Sequence, residues 1–358
     1  MSFDEVKRNE IKLYLLRKIQ EDDEFVISKV ADAFGISMTS VKRYIDSEIS
    51  CNHICQDLDR KCKYNLVYTT AHFNYDLPQL TESDDEIIYE DVFPLLNINN
   101  NARKIWSYVL PEIFNNSIEH SFGNKVSVFI YTSFLNTKII VVDDGIGVFK
   151  SIIDYRKKNG IKDNDLRDAV LELYKGKFTT NPQNHSGEGI FFSSKMLDKL
   201  ALVSDNTIFK TGFDGEYKII NSHLLSYAMK FSKTGTVAIM ELENDTKRKS
   251  IDIFKEYSDV DEGLIKTLVP VFEACRERNP IARSQARRIT ERLDLFKDVE
   301  LDFSNCEIMA QGFADELFRV YQNANPGVKL IPINMNKEVE FMYLHSIGKR
   351  RDLYDANS

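Results

Sequence analysis

Leu110-Pro111-Glu112-Ile113-Phe114-Asn115-Asn116-Ser117-Ile118-Glu119-His120-Ser121 decides how the rest of the chain is read. Leu110, Ile113, Phe114 and Ile118 recur at helical spacing and predict a helix with one apolar stripe. Glu112 and Asn116, four apart, fall on one common face. A carboxylate there can hold a water or hydroxyl as a base, and an amide oxygen is a hard ligand suited to Mg2+. Taken alone, an acid and an amide at this spacing decorate a solvated helix. Two glycine-bearing segments downstream change that reading.

In the first, Lys138-Ile139-Ile140-Val141-Val142-Asp143-Asp144-Gly145-Ile146-Gly147-Val148, a β-branched run ends in Asp-Asp-Gly-x-Gly. It predicts a buried strand that leaves its sheet through a tight turn. Glycines there let backbone approach a planar ligand, and Asp143 can accept a hydrogen bond from an exocyclic amine such as that of adenine. In the second, Asn184-His185-Ser186-Gly187-Glu188-Gly189 leads into the apolar run Ile190–Leu197. Glycines before a helix N-terminus leave free N–H groups and a positive dipole end, which suit a phosphate. Neither the P-loop pattern nor the dinucleotide fingerprint is present.

In order and spacing these segments resemble the GHKL superfamily of ATP-binding domains, which includes gyrase and the histidine kinases. Glu112-x-x-x-Asn116 looks like its N box, Asp143-x-Gly145-x-Gly147 like its G1 box, and Ser186-Gly187-Glu188-Gly189 like a shortened G2 box. Lys233-Thr234-Gly235-Thr236, ahead of Val237–Leu242, resembles the Gly-Thr that opens a late strand of that fold. The resemblance implies an α+β sandwich of the Bergerat type, with ATP and Mg2+ as ligands. Glu112 would polarise the attacking water, Asn116 would ligate Mg2+, and Asp143 would bind the adenine amino group. Gly145 and Gly147 would admit the base. Ser186, Gly187, Glu188 and Gly189 would meet the phosphates, and Thr236 would lie near the adenine. Between the boxes lies a helical stretch around Ile161–Tyr174, and residues 175–183 after it would supply the loop that closes over the nucleotide.

Upstream, Glu5–Ile19 is amphipathic, with Ile11, Leu13, Leu15, Leu16 and Ile19 apolar. Phe25–Ile45 then reads as a helix, a turn at Gly35 and a second helix capped by Ser37 or Thr39. Val41 and Ile45 would bury that helix and leave Lys42 and Arg43 to a DNA groove. The alternation over Lys63–Phe73 suggests a β-wing, so this region resembles a winged helix-turn-helix domain. Cys51, His53, Cys55 and Cys62 lie close together, but their spacing fits no common zinc site.

Downstream of residue 250, a helix from Ser284, a strand at Val299–Phe303, a helix at Phe313–Tyr321, a strand at Val328–Ile333 and a last helix at Glu338–Ile347 imply a small sheet flanked by helices. Leu301-Asp302-Phe303-Ser304 followed by Gly312–Leu317 resembles a STAS-like domain, the fold of anti-anti-sigma factors. In such proteins a GHKL kinase phosphorylates a serine at the start of a helix. Here that place reads Ala310-Gln311-Gly312, without a hydroxyl. Arg276, Arg278, Arg283, Arg287 and Arg288 form a basic cluster read mainly as a solvated helix face.

The expected organisation is therefore α/β in three parts: 1–80 winged helix-turn-helix, 81–250 ATP-binding, 251–358 STAS-like. The expected function is an ATP-dependent switch, with Glu112 as the base for slow hydrolysis. The alternatives are a serine/threonine kinase of the anti-sigma type acting in trans, and a non-hydrolysing ATP sensor that binds DNA. No phosphoacceptor histidine lies on a dimerising hairpin, which disfavours a histidine kinase. A net charge of −8 argues against a general nucleic-acid coat. No apolar run reaches membrane length, and Met1–Glu5 does not read as a signal peptide. With five cysteines, the expectation is a reducing cytoplasm, with a homodimer and a protein partner as the assembly.

Overall fold

A computed structural model of the chain describes residues 3–80, 86–161, 165–180, 186–205, 207–213, 235–275 and 279–348. The architecture is mixed α/β. It begins with α1 (Glu5–Gln20), α2 (Val26–Phe34) and α3 (Met38–Ser50), followed by an antiparallel hairpin of β1 (Ile54–Gln56) and β2 (Tyr64–Leu66). Gly35 ends α2 at φ +61°, a left-handed cap that glycine adopts without strain. Two residues on, the Ser37 hydroxyl accepts the Ser40 N–H at 3.1 Å and opens α3. Ile11, Leu15, Leu16 and Ile19 of α1 pack with Val41 and Ile45 of α3 in one core.

The expected wing divides in two. Only Tyr64–Leu66 pairs within the hairpin, whereas β3 (Thr69–Asp76) leaves to pair along its whole length with β4 (Lys125–Thr132). Alternation marks a strand without naming its partner, and the sequence reading joined the two runs because only two residues separate them.

β3 is the edge of a six-stranded sheet, ordered β3-β4-β5-β8-β6-β7. The other strands are β5 (Asn136–Asp143), β6 (Lys199–Ser204), β7 (Thr207–Thr211) and β8 (Val237–Glu243), and all neighbours run antiparallel. β5 sits inside the sheet with every residue buried except the half-buried Lys138, which explains its unbroken β-branched run. Four helices, α5 (Asn100–His120), α6 (Val148–Lys158), α7 (Leu166–Lys175) and α8 (Gly189–Met196), pack on the sheet. The helical stretch expected from Ile161 starts instead at Leu166, where Asp165 and Asp168 form a capping box.

Pro111 lies inside α5 and cannot donate to the carbonyl one turn back. That carbonyl, of Ser107, accepts the hydroxyl of Tyr89 from α4 (Glu86–Val92) instead. The helix that carries Glu112 therefore depends on a neighbouring side chain. Tyr89→Phe should cost about 1–2 kcal/mol, read as a lower urea midpoint at unchanged slope. An unchanged midpoint would reject this role.

After α9 (Ser250–Tyr257) come a small hairpin, β9 (Ser258–Asp259) with β10 (Gly263–Leu264), and a parallel three-stranded sheet ordered β11-β12-β13. Its strands are β11 (Lys266–Pro270), β12 (Asp298–Asp302) and β13 (Lys329–Ile333). α10 (Val271–Ala274), α11 (Arg283–Thr290), α12 (Gln311–Ala314) and α13 (Lys337–Ser346) flank it. The sequence reading missed β11, a five-residue edge strand ending in proline. α7 packs directly on β11, and one core runs from Leu77 to Val339. Among the described residues, no helix is long and apolar enough to cross a membrane.

Candidate functional site

A cavity of about 340 Å3 opens between α5, the end of β5 and the glycine-bearing start of α8. It is lined by Glu112, Asn116, Asp143, Gly147, Ser186, Gly187, Glu188, Gly189 and Thr236, residues drawn from four separate stretches of sequence.

Asn116 donates its amide to the Glu112 backbone carbonyl at 2.8 Å. That bond fixes the side chain and leaves Oδ1 as the side-chain atom able to ligate a metal. The Glu112 carboxylate lies flush against Gly189, where a Cβ would fall 1.7 Å from Oε1. The first residue of α8 must therefore be glycine for the carboxylate to rest at that helix N-terminus, the positive end of its dipole. Gly187, at φ +72°, meets a second constraint, because a Cβ there would stand 2.5 Å from the Phe178 carbonyl. Phe178 thus crosses directly over the loop that precedes α8. Glu188 sends its carboxylate away from the loop to accept the Leu264 N–H at 3.1 Å.

Asp143 is 4 % exposed. Its Oδ1 accepts the N–H groups of Gly145 at 2.9 Å and Thr236 at 3.1 Å. Burial pushes its carboxyl above the usual range, and those amides with the Thr236 hydroxyl offset part of the effect. The Thr236 hydroxyl also accepts the Val148 N–H at 3.0 Å, which ties the start of α6 to the site.

Gly145 does not line the cavity. A Cβ there would lie 2.1 Å from the Ser121 carbonyl oxygen, while Ile146 donates to that oxygen at 2.7 Å. This glycine admits the C-terminal end of α5 rather than a planar ligand; Gly147, at φ +86°, is the one at the cavity. Lys177 likewise turns away from the cavity, donating to the Leu295 carbonyl at 3.1 Å. The sequence reading missed Tyr108, which lines the cavity one turn before Glu112. Burial, reinforced by the charges of Glu112 and Glu188, raises its hydroxyl above the ordinary range. Its spacing from Glu112 was the available signal.

Elsewhere, Lys42 and Arg43 stand exposed on α3. His53 bonds Glu48 at 2.7 Å, and Cys62 is buried while Cys51 and Cys55 are exposed. The basic cluster is not one solvated face: Arg287 pairs with Glu316 in the open, but Arg288 pairs at 2.7 Å with Asp168, which is nearly inaccessible. Glu82, Ser83, Asp84, Asp85, Asn181–His185, Lys233, Thr234, Arg276 and Arg278 lie outside the described residues.

Residues 285–340 match a family described as a STAS-like domain of unknown function (DUF4325). The C-terminal part of the chain is thus a STAS-like domain, consistent with a signalling or regulatory role. β11, which pairs with β12, precedes the matched residues. No curated protein matches the chain.

Proposed function

We propose that the six-stranded sheet and its helices form a GHKL-type ATP-binding domain, and that the protein is a Mg2+-dependent ATPase acting as a switch between a winged helix and the STAS-like domain. The observation that carries this reading is the single cavity that joins a buried carboxylate, an acid–amide pair on one helix face, and a glycine-rich helix N-terminus.

The residues fit the ligand. The cavity volume is within the range of small-molecule sites. Asp143 is a hydrogen-bond acceptor in a dry corner, suited to an exocyclic amine. The amides from Gly187 onward suit phosphate oxygens. Mg2+, held by Asn116 Oδ1, would neutralise phosphate charge when bound. Glu112 orients and deprotonates water, and its place beside Gly189 puts the base next to the phosphate-binding end of α8. Lys42 and Arg43 are the edge of α3 that this reading reserves for a duplex, and salt-dependent binding would measure it.

The chain incubated with Mg2+ and ATP labelled at the γ-phosphate should release free labelled phosphate. Label retained on protein would turn the reading to a kinase, and no binding of ATP at all would reject it.

A further inference from the structure

The wall of the cavity that crosses Gly187 is held from the C-terminal domain. Arg292, inside the STAS-like match, donates one guanidinium nitrogen to the Glu172 carboxylate and another to the Lys177 carbonyl. The same guanidinium lies 5.3 Å from the centre of the Phe178 ring, and the Phe178 backbone is what closes over Gly187. Glu172, itself part of the cavity wall, is 1 % exposed and also takes Arg156 at 3.0 Å. Arg156 is fully buried and reaches on to Glu291 at 3.0 Å.

The grip is reciprocal. Lys175, also 1 % exposed, donates to the Glu291 carbonyl at 2.6 Å and the Arg288 carbonyl at 3.3 Å, at the C-terminal end of α11. Thr267 on β11 donates to the Lys175 carbonyl at 2.7 Å. Hydrogen bonds from Lys175 and Lys177 thus run into the C-terminal domain from both side chain and backbone.

We propose that Arg292 is a positioning residue of the nucleotide site: the STAS-like domain holds the segment Gly176–Phe178 over the phosphate-binding loop, and the site is complete only with that domain docked. The inference rests on the ATP-binding reading above. Buried charges of this kind are costly when left unpaired, so the network favours the docked position of the STAS-like domain. Nucleotide binding and the position of the STAS-like domain are then linked, each favouring the other.

The test uses the full chain and three readouts: calorimetric titration with ATP and Mg2+, hydrogen exchange at the Gly176–Phe178 amides, and thermal unfolding. Arg292→Ala leaves Glu172 with Arg156 and Lys175, so folding is retained. ATP affinity should fall about tenfold, with faster exchange confined to Gly176–Phe178. Arg292→Lys, which can pair with Glu172 but cannot also reach the Lys177 carbonyl, should fall between. Arg287→Ala, on the exposed pair with Glu316, should match wild type. Unchanged affinity and exchange in Arg292→Ala would overturn the inference, and so would faster exchange spread over the whole chain with a lower melting temperature. If wild type binds no ATP, the underlying reading fails, and the exchange arm still reports separately whether Arg292 holds the wall.

Discussion

Glu112→Gln should bind ATP and Mg2+ as wild type does and hydrolyse it about 10²–10⁴-fold more slowly, the usual range for loss of a general base. Glutamine keeps the shape of the side chain and its contact with Gly189. It also leaves Asn116 in place, because that amide is bonded to the backbone carbonyl of residue 112 and not to its carboxylate. Binding and turnover therefore separate at this position. Phosphate release measured beside equilibrium binding gives the answer. Unchanged release would place the base elsewhere, and a parallel loss of binding would mean that the carboxylate serves the ground state.

The parts of this molecule that were legible in its sequence are those set by local periodicity. The apolar stripe of α5 places Glu112 and Asn116 on one face whatever the helix packs against. The β-branched run of β5 reads as buried because strand burial on both faces removes alternation. The glycines at 187 and 189 read as a loop before a helix, and the structure gives each a steric reason to be glycine.

What was not legible depends on partners far away in the chain. β3 alternates as a wing strand would, and only its pairing with β4 decides otherwise. Gly145 and Gly147 are two residues apart in one motif, yet one meets the end of α5 and the other the cavity. Arg287 and Arg288 are adjacent and identical in type, but helix geometry turns one to solvent and the other onto Asp168. Arg292 had no local signal at all, since its partners Glu172 and Lys177 lie more than a hundred residues earlier. No composition or spacing rule connects such positions. The packing of α7 on β11 and on α10 brings them together.

Asp143→Asn should weaken ATP binding about 10–100-fold while leaving the free protein as stable as wild type or more so. Asparagine retains an oxygen to accept the Gly145 and Thr236 amides, so the turn at the end of β5 keeps its hydrogen bonds. What changes is the atom offered to the ligand: an amide N–H would face an amino N–H, and an unmatched polar group in a dry site costs about 1–3 kcal/mol. The stability term has the opposite sign. Burial raises the carboxyl of Asp143 above its unfolded value, so the folded protein holds that proton more tightly than the unfolded chain does. Its contribution to stability is greatest below the unfolded carboxylate range and is lost as pH rises through the raised value. Above that raised value wild type carries a buried charge that the variant lacks, and the variant's advantage should shrink as the solution is acidified through it. Melting curves across that range, set beside titrations with ATP, test both halves. A variant that loses affinity only in proportion to a lost fold would reject the assignment of Asp143 to the adenine amine, because the geometry requires recognition to fail while the fold is untouched.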